Sequence, residues 1–533
     1  MKKLKLVCVA IAMAGAAPTF AGGLLTNTNQ HVAFNRMMSR EASIGIDGVY
    51  YNPAGVVFMG EGHHLAINWQ LAYQTRTINN DYKLFTNNVN NPITPRDFKG
   101  KAFAPVIPSF QYAYNKGKWS FQANFSLTGG GGKCTFDDGL GSFEKIVSET
   151  AIAACKLAGA VDQVAEAYHV PAIFSSNQCF GTEGKYSYNS YMHGRQYYYG
   201  LSAGAAYKFC DNFSAFLGVR GVYALTNYYG YVENINVGNM PLYKVLDPTK
   251  ENAANIELSC DQTGVGFTPI IGVDYKTGRW NFSAKYEFKT RIRLKNKSVN
   301  QTPSIGNLPA NLANQMTGIL TDKFHNAGLP LEQAKQQAEN TTNAVLNDPT
   351  VGATMMGLKT QFDQKLNKAI GEYEDGKKIA GDIPGYLALG IGYSPVDAVR
   401  VNVGFHWFDD KNATSYNNRN KELKRGTLEY NAGVEVDVNK KITLSTGWQN
   451  TNYGLSDEYM DDKSFVVSSN SAAIGGVYHI NKKTDLNVAY FHTFYQHKKT
   501  SETVQLAADK SVVYNSDYTR NNNVFAVGLD INF

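Results

Sequence analysis

The stretch "WNFSAKYEFKTRIRLK", residues 280–295, alternates between apolar and polar side chains. Its apolar face carries Trp280, Phe282, Ala284, Tyr286, Phe288, Ile292 and Leu294. Its polar face carries Asn281, Ser283, Lys285, Glu287, Lys289, Arg291, Arg293 and Lys295. Side chains that change face at every residue are typical of a β-strand. The stretch therefore predicts a strand with one face in an apolar medium and the other in a polar interior.

The same alternation recurs along the chain. Further segments that show it are 65–73, 119–127, 399–407, 428–438 and 524–533. Alternating segments of about ten residues are typical of transmembrane β-strands, whose outer face meets lipid and whose inner face meets a polar lumen. A soluble antiparallel sheet could contain one such strand, but it does not predict a series that continues to the end of the chain.

The connections between the segments fall into two length classes. Six are short, at 115–118, 208–212, 276–279, 394–398, 438–441 and 481–484. Seven are long, at 79–103, 129–190, 229–262, 297–381, 409–425, 454–467 and 499–517. Outer-membrane barrels show this asymmetry, with the short turns in the periplasm. The pattern predicts an all-β fold, a transmembrane barrel of about fourteen antiparallel strands. Helix-like stretches inside 129–190 and 297–381 predict partly helical extracellular loops.

The N-terminus indicates export from the cytoplasm. Lys2, Lys3 and Lys5 precede the apolar run "LVCVAIAMAGAAP", and Ala21 is a small residue suited to cleavage. The run is shorter than the roughly 20 residues of a membrane-spanning helix. We therefore predict that residues 1–21 are a signal peptide and that the mature chain lies in the outer membrane of a Gram-negative bacterium.

Composition and motifs exclude several classes of function. A formal net charge of +6 over 533 residues, without a basic run at recognition-helix spacing, does not indicate a nucleic-acid partner. The histidines do not cluster at ligand spacing, so we expect no metal, and no motif indicates a cofactor. No Ser-His-Asp arrangement, phosphate loop or paired-carboxylate site is recognisable, so we expect no enzyme. Because a closed barrel needs no partner strand, we expect a monomer.

Two motifs carry a resemblance to a known family. "YYNPAGVVFMG" (50–60) ends the segment before the first strand, and "APVIPSFQYAY" (104–114) follows in the second. With the signal peptide and the strand count, the chain resembles the FadL/TodX family of outer-membrane transporters for long-chain fatty acids and other hydrophobic compounds. The resemblance implies that residues 22–60 form a hatch inside a barrel of residues 61–533. It places Asn52, Pro53, Ala54 and Gly55 in the turn of that hatch. Irregular backbone at membrane depth is stable only when buried in protein or lining a cavity.

The resemblance also implies a route for the ligand. In the family, the ligand enters from outside, binds in the barrel and leaves sideways through a gap beside an inward kink in the third strand. The predicted third strand, 118–128, contains neither proline nor glycine. The run of glycines at 129–132 follows it, and glycine runs more often begin loops than kink strands. We therefore interpret 129–132 as the start of the loop 129–190, and the sequence does not predict the kink.

The polar face of 280–295 offers a candidate head-group site. We predict that Lys285, Lys289, Arg291 and Arg293 point into the lumen and bind a carboxylate, for which arginine supplies paired charge-assisted hydrogen bonds. The alternative is a structural ladder of ion pairs with Glu287 and with Arg400, Glu429, Glu435 and Asp437 of later strands. A second alternative places the outermost of these cations at the extracellular rim, facing lipopolysaccharide phosphates.

The cysteines and the C-terminus add two expectations. Cys134, Cys155, Cys179 and Cys260 fall in predicted outer loops, while Cys210 falls in a periplasmic turn across a bilayer of about 30 Å. Two loop disulfides are a hypothesis, with Cys155–Cys179 as one pair. The last strand ends in Phe533, an aromatic residue of the kind that the barrel assembly machinery recognises.

The leading functional hypothesis is passive uptake of a hydrophobic small molecule. Long-chain fatty acids are the default substrate that the resemblance implies, released laterally into outer-membrane lipid. One alternative is uptake of aromatic hydrocarbons on the same fold. The other is a surface receptor or adhesin that uses the barrel only as an anchor.

Overall fold

The computed structural model describes residues 24–175, 183–303, 305–507 and 510–533. The predicted signal peptide at 1–21 lies outside the described residues. No helix among the described residues is long and apolar enough to cross a membrane.

Fourteen strands form one closed antiparallel sheet. Eleven run without interruption: β1 Gly62–Tyr82, β2 Arg96–Lys116, β3 Trp119–Phe136, β4 Tyr186–Cys210, β5 Phe213–Val237, β6 Ile256–Thr277, β9 Val399–Phe408, β10 Thr427–Asn439, β11 Ile442–Asn452, β12 Ser469–Asn481 and β14 Lys510–Asn532. Three are interrupted: β7 (Trp280–Glu287 and Arg293–Gln301), β8 (Lys378–Ala380 and Tyr386–Val396) and β13 (Thr484–Tyr495 and Lys498–Ala507). The pair Met240–Pro241 only extends the edge of β5.

The barrel closes where the first strand meets the last. β1 pairs with β14 from His64 opposite Asn532 to Tyr82 opposite Tyr514. All other strands pair antiparallel with their neighbours in sequence. Six tight turns lie at one end, here the short-turn end, and the longer connections lie at the long-loop end. The prediction of a fourteen-stranded antiparallel barrel is confirmed.

Several predicted loops are shorter than expected. β1 and β2 continue to Tyr82 and from Arg96, so most of the predicted loop 79–103 is strand. The predicted loop 499–517 is wrong, because β13 continues to Ala507 and β14 begins at Lys510. In these extensions the two strands pair with each other, and neither face has to be apolar. Alternation therefore stops before the strands end.

The long-loop end carries helices. The helices of the connections are α3 Gly141–Ala167, α4 Tyr243–Leu246, α5 Leu308–Asn326, α6 Leu331–Leu346 and α7 Pro349–Ile370. The first connects β3 to β4, and the last three connect β7 to β8. Apolar side chains of α3, α5, α6 and α7 pack in one cluster with the ends of β4 and β5. The helix-like stretches of the predicted loops 129–190 and 297–381 are thus helices.

The outer surface of the barrel is apolar. Along β4, β5 and β6, the outward side chains Leu201, Leu217 and Phe267 are 62%, 69% and 71% exposed. Inward side chains, such as Asn68 of β1, Gln111 of β2 and Asn124 of β3, are polar, buried and hydrogen-bonded. An apolar outer band around a polar interior is the arrangement of a barrel that stands in lipid.

Residues 24–60 fold inside the barrel as an N-terminal segment. It contains α1 Val32–Met37, α2 Gly48–Tyr51 and a 3₁₀ turn, Gly55–Phe58. Residues 26–42 and 46–57 of this segment are buried. The helix α1 contacts β1 and β10–β14, whereas α2 and the 3₁₀ turn contact β2, β3, β4 and β6. The segment therefore reaches the wall on opposite sides of the lumen.

Glycines in the wall make room for this segment. A Cβ added at Gly447 of β11 would lie 1.5 Å from the Met37 carbonyl oxygen, and one at Gly433 of β10 would lie 2.3 Å from it. No side chain fits between those strands and the end of α1. The wall is thus shaped to hold the segment at this position.

Candidate functional site

The turn at Asn52–Gly55 is fastened to three strands of the wall. The Asn52 amide donates to Asp274 Oδ2 of β6 at 2.6 Å, and its own Oδ1 accepts from the Gly55 N–H at 3.1 Å. Gln122 of β3 donates to the Pro53 carbonyl at 2.7 Å. Ser214 of β5 donates to the Ala54 carbonyl at 2.7 Å. The irregular backbone of the turn is therefore satisfied by side chains of the barrel, as buried backbone requires.

The wall is open along one stretch between β2 and β3. The two strands pair from Lys116 opposite Trp119 to Phe110 opposite Phe125, and again at Lys101 opposite Thr135. Residues 102–109 and 126–134 between these points do not pair with each other. Pro105 and Pro108 lie in the unpaired stretch of β2, and proline has no N–H to donate to a neighbouring strand. The unpaired stretch is called the β2–β3 gap below.

β3 bends at its glycine run instead of ending there. Gly130 and Gly132 have φ of 87° and 61°, a left-handed backbone that glycine adopts readily. The ladder with β4 shifts register between Leu127, Gly129 and Gly132. Our interpretation of 129–132 as the start of a loop is wrong, because β3 continues to Phe136 on the far side of the bend.

The N-terminal segment takes the place of the missing strand pairing on β3. The Asn27 N–H donates to the Thr128 carbonyl at 3.0 Å, and the Gly130 N–H donates to the Leu25 carbonyl at 3.0 Å. The Gln30 amide donates to the Leu127 carbonyl at 2.8 Å. The bend therefore turns backbone groups of β3 away from β2 and toward the interior. Its position is coupled to that of residues 25–30.

An interior apolar cluster lies behind the gap. It joins wall side chains to Phe34, Met38, Tyr50 and Tyr51 of the N-terminal segment. Its wall members include Ala72, Ile78, Ala102, Ala104, Ile107, Leu127, Cys134, Phe136, Met192, Tyr197, Ala473, Phe491, Tyr518 and Val524, with Phe465 and Val467 from the β11–β12 connection. Ala102, Ala104, Ile107 and Leu127 belong to the gap itself. An apolar surface thus continues from the lumen to the opening in the wall.

Two arginines face each other on the wall of this region. Arg76 of β1 lies opposite Arg520 of β14. Both guanidinium groups donate to Gln74 Oε1, at 3.2 Å and 2.9 Å. Arg520 also lies 5.8 Å from the ring centre of Phe465, a member of the apolar cluster. Arg76 and Arg520 lie outside the alternating segments 65–73 and 524–533 of their strands, so alternation did not predict them. An alignment of the first strand with the last would have shown two arginines at opposed positions, and this signal could have identified them.

Solved structures share this architecture. A Pseudomonas aeruginosa FadL homologue superposes with a TM-score of 0.57 and 13% identity, over 96% of this chain and 100% of that chain. A TodX deltaS2S3 mutant, described as a monoaromatic hydrocarbon channel, gives 0.50 and 13% identity over the same shares. The chain has the FadL fold. No family model and no curated protein matches the sequence, and the resemblance is confirmed at the level of the fold.

Within this FadL fold, Lys285 is the predicted site residue that faces the lumen. It is buried and donates to the Tyr50 carbonyl at 2.6 Å and to Glu287 Oε1 at 2.9 Å. Arg220 binds the same carboxylate with both terminal nitrogens, at 2.5 Å and 2.9 Å. The contacts of Lys285 are those of the ion-pair ladder, and they tie the N-terminal segment to β7.

The other predicted cations, Lys289, Arg291 and Arg293, do not take part in the ion pairs around Glu287. β7 is interrupted between Glu287 and Arg293, where Phe288 donates to Pro269 and Thr290 pairs with Ile383. After the interruption the even-numbered residues Ile292 and Leu294 are buried, and Arg291 and Arg293 are exposed. The prediction that Arg291 and Arg293 point into the lumen is wrong, because the break shifts the alternation by one residue. Lys289 donates to the Asn412 carbonyl at 3.0 Å near the long-loop end.

Most other interior charges near the short-turn end are also paired. Glu435 binds Arg36 at 2.5 Å and Arg40 at 2.7 Å, and Arg40 also binds Asp47 at 2.7 Å. Arg400 binds Asp437 through two nitrogens, at 2.7 Å and 2.6 Å. Arg36, Arg40, Arg400 and Glu435 border a polar cavity of about 720 Å³ beneath the N-terminal segment. The segment is thus held by ion pairs on one side and by the Asn52 turn on the other.

The cysteines and the C-terminus occupy defined positions. Cys134 and Cys260 are buried in β3 and β6, so the prediction that they lie in loops is wrong. Cys155 lies in α3, and Cys179, its partner in the disulfide hypothesis, is outside the described residues. Phe533 pairs with His63 through two backbone hydrogen bonds of 2.7 Å and 2.9 Å, which closes the sheet. Recognition of Phe533 by the assembly machinery stays a prediction.

Proposed function

We propose that the chain is an outer-membrane channel for passive uptake of hydrophobic compounds, which leave the barrel sideways through the β2–β3 gap. The main support for this proposal is that the interior apolar cluster lines the inside of the unpaired wall at 102–109 and 126–134. An apolar molecule gains free energy by burial against such a surface. An opening at the same level lets it pass into lipid without meeting water.

The orientation follows from the two ends of the barrel. In outer-membrane barrels the short turns face the periplasm and the long loops face outward. The helical connections would then receive the ligand from outside. The N-terminal segment, residues 24–60, acts as the hatch, because it fills the lumen below the cluster. We propose the same boundaries for the domains: a signal peptide at 1–21, a hatch at 22–60 and a barrel at 61–533.

Long-chain fatty acids are the substrate class that the geometry favours. Arg76 and Arg520 stand opposite each other, and like charges at opposed positions of a strand pair repel. A carboxylate between them would offset that repulsion and form charge-assisted hydrogen bonds. Aromatic hydrocarbons are the second candidate, since the TodX structure with the same fold is described as a monoaromatic hydrocarbon channel. Such a ligand would use the cluster and the gap but not the arginines.

The bend in β3 gives the test of this proposal. A Cβ at Gly130 would lie 2.7 Å from the Gln196 carbonyl oxygen, and its φ of 87° disfavours other residues. Gly130→Ala should therefore shift the bend and disturb the gap. Gly117→Ala is the matched control: it has a φ of 59° but lies in a short turn, with no atom within 4 Å of the added Cβ.

Uptake of labelled oleate and labelled toluene is measured in cells that lack other routes, at equal surface expression. We expect Gly130→Ala to lower uptake of the transported compound severalfold, and Gly117→Ala to leave it unchanged. Equal uptake by both variants would contradict lateral exit at the gap. A wild-type barrel that carries neither compound would favour the surface-receptor alternative.

A further inference from the structure

The interruption of β7 creates a basic patch on the outside of the barrel. Beyond it, Arg291, Lys295 and Lys297 are exposed, and Lys378 of β8, also exposed, is the strand partner of Lys295. Among the described residues, these four side chains make no ion pair or hydrogen bond. Arg293 is also exposed but binds Asp382 at 2.9 Å. We call Arg291, Lys295, Lys297 and Lys378 the outer basic patch.

Carboxylates beside the patch have partners other than its four cations, as Glu374 has in Lys377 at 3.5 Å. Asp261 of β6 is the strand partner of Lys297 and accepts from Asn227 at 2.8 Å. Asp375 accepts from the Ser298 N–H at 2.8 Å. Asp382 is the partner of Arg293 described above. The outer basic patch therefore retains an excess of positive charge.

The patch begins where the apolar outer face ends. The outward aromatic residues Trp280, Phe282 and Phe288 precede it on β7 and are 44%, 38% and 43% exposed. Aromatic girdles mark the two boundaries between hydrocarbon and head groups on a barrel. The patch follows Phe288 toward the long-loop end, so it lies at the level of the outer head groups.

An apolar groove adjoins the patch on the same outer surface. It has a volume of about 310 Å³ and is lined by outward side chains that include Leu201, Tyr223, Val265 and Phe267. Gly221 stands between Leu201 and Phe267 in register across β4, β5 and β6. Because Gly221 has no side chain, the groove forms at its position between Leu201 and Phe267.

The groove and the patch are continuous. Val265, which lines the groove, lies two residues along β6 and on the same face as Thr263, the strand partner of Lys295. A single molecule with a negative head and an apolar chain can therefore contact both.

We propose that the outer basic patch and the groove together bind one phosphorylated glycolipid of the outer leaflet. Its phosphate groups contact Arg291, Lys295, Lys297 and Lys378, and one acyl chain lies in the groove beside Val265 and Phe267. The adjoining groove favours a lipid over free phosphate, because inorganic phosphate has nothing to place there. The proposal rests on the proposed outer-membrane location and is independent of the transported compound.

Native mass spectrometry of the purified full-length barrel in detergent tests this site. The probes are bisphosphorylated lipid A, lipid A with both phosphates removed, and inorganic phosphate. The charge variant is Arg291→Gln/Lys295→Gln/Lys297→Gln. Its matched control is Lys440→Gln/Lys441→Gln/Lys483→Gln, with the same change of charge in short turns at the opposite end. The groove variant is Gly221→Leu, since a Cβ at Gly221 meets Phe267 only at 3.7 Å.

We expect bisphosphorylated lipid A to bind the wild-type barrel and the control equally. Each basic residue near an anionic lipid surface contributes about fivefold in affinity, so the charge variant should bind roughly a hundredfold more weakly. Gly221→Leu should weaken lipid A binding and leave inorganic phosphate binding as it was. Dephosphorylated lipid A should bind the charge variant and the wild type alike.

Three results would overturn the site. They are equal lipid A binding by the charge variant and the control, inorganic phosphate binding as tightly as lipid A, or no effect of Gly221→Leu. Oleate uptake by the same variants separates this proposal from the transport proposal. A barrel that binds lipid A at the patch but carries no hydrophobic compound would support the site and contradict the transport function.

Discussion

At the scale of single residues, Asn52 connects a turn of the N-terminal segment, the proposed hatch, to the barrel wall. Its amide supplies one donor to Asp274, and Asn281 supplies a second donor at 2.9 Å. The Asn52 side chain also accepts from the Gly55 N–H, which donates to the Asn52 backbone carbonyl at 3.0 Å as well. The residue therefore holds both the shape of the turn and its place in the lumen.

We expect Asn52→Ala to loosen the turn without unfolding the barrel. Loss of a hydrogen bond to a charged group costs about 1.5–3 kcal/mol, so amide hydrogen exchange of residues 48–58 should accelerate by roughly tenfold or more. Asn281→Ala is the control, since it removes a donor to the same carboxylate but leaves the Gly55 contact. If exchange in the turn is as slow in Asn52→Ala as in the control, Asn52 does not hold the hatch turn.

Arg76 gives a residue-scale prediction about the substrate. Arg76→Gln relieves repulsion with Arg520 and should not destabilise the barrel, but it removes a donor for a carboxylate. We expect oleate uptake to fall about tenfold and toluene uptake to stay at the wild-type rate. Arg400→Gln, near the short-turn end, is the matched control and should leave both rates unchanged. A parallel fall of oleate and toluene uptake in Arg76→Gln would exclude head-group recognition by the arginines.

Alternation in the sequence predicted some residue positions and not others. It placed Lys285 in the lumen correctly, because Trp280–Glu287 is an uninterrupted strand. It misplaced Arg291 and Arg293, because the interruption before Arg293 shifts the phase. Thr290, the polar residue on the predicted apolar face, is buried and was the sign of this shift. Apolar residues stay at even-numbered positions on both sides of the interruption, so their alternation does not show that this face turns from the outside to the interior.

At the scale of elements, the β11–β12 connection is held to the first turn of α3 by one carboxyl group. Asp462 accepts from the Ser142 N–H at 2.8 Å and from the Ser142 hydroxyl at 3.0 Å. Burial and the neighbouring Asp461 raise the pKa of Asp462 to about 6. The same connection supplies Phe465 and Val467 to the interior apolar cluster, so its docking affects the lining of the lumen.

The docking of this connection should depend on pH. Because the pKa is raised above the ordinary 3.8, the folded state binds the proton more tightly than the unfolded state. The contribution of Asp462 to stability is then fully present below about pH 4 and is lost as the pH rises through about 6. We expect faster hydrogen exchange in residues 454–468 at pH 8 than at pH 5, after correction for the intrinsic rate. In Asp462→Asn the corrected rates should be equal, and an equal pH effect in that variant would assign it to another group.

The sequence predicted the number of strands because a strand in lipid must have an apolar outer face. It did not predict how far β13 and β14 extend, since strands beyond the lipid have water on their outer face. It also did not predict the bend in β3. A run of glycines can begin a loop or bend a strand, and its sequence does not distinguish the two. The contacts of Asn27 and Gln30 with β3 determine that this run is a bent strand.

At the scale of the whole molecule, the barrel and the hatch have separate sources of stability. The sheet is closed by its own backbone pairing, with β1 joined to β14 along its length. The hatch adds ion pairs such as Arg36–Glu435 and hydrogen bonds to the bend of β3, but the pairing of β1 with β14 and of β2 with β3 at 110–116 forms without it. A barrel without the hatch should therefore still fold.

Deletion of residues 24–46 should convert the closed barrel into an aqueous pore. It removes α1 and the Arg36 and Arg40 side chains, and it exposes inward polar residues such as Asn68 and Gln111. We expect single-channel conductance in planar bilayers to rise from near zero to the level of an open pore, while oleate uptake falls because the apolar cluster loses Phe34 and Met38. Retained heat-modifiable mobility in electrophoresis would confirm that the barrel is folded. A folded deletion variant that conducts no ions would show that side chains of the wall, rather than the hatch, close the lumen.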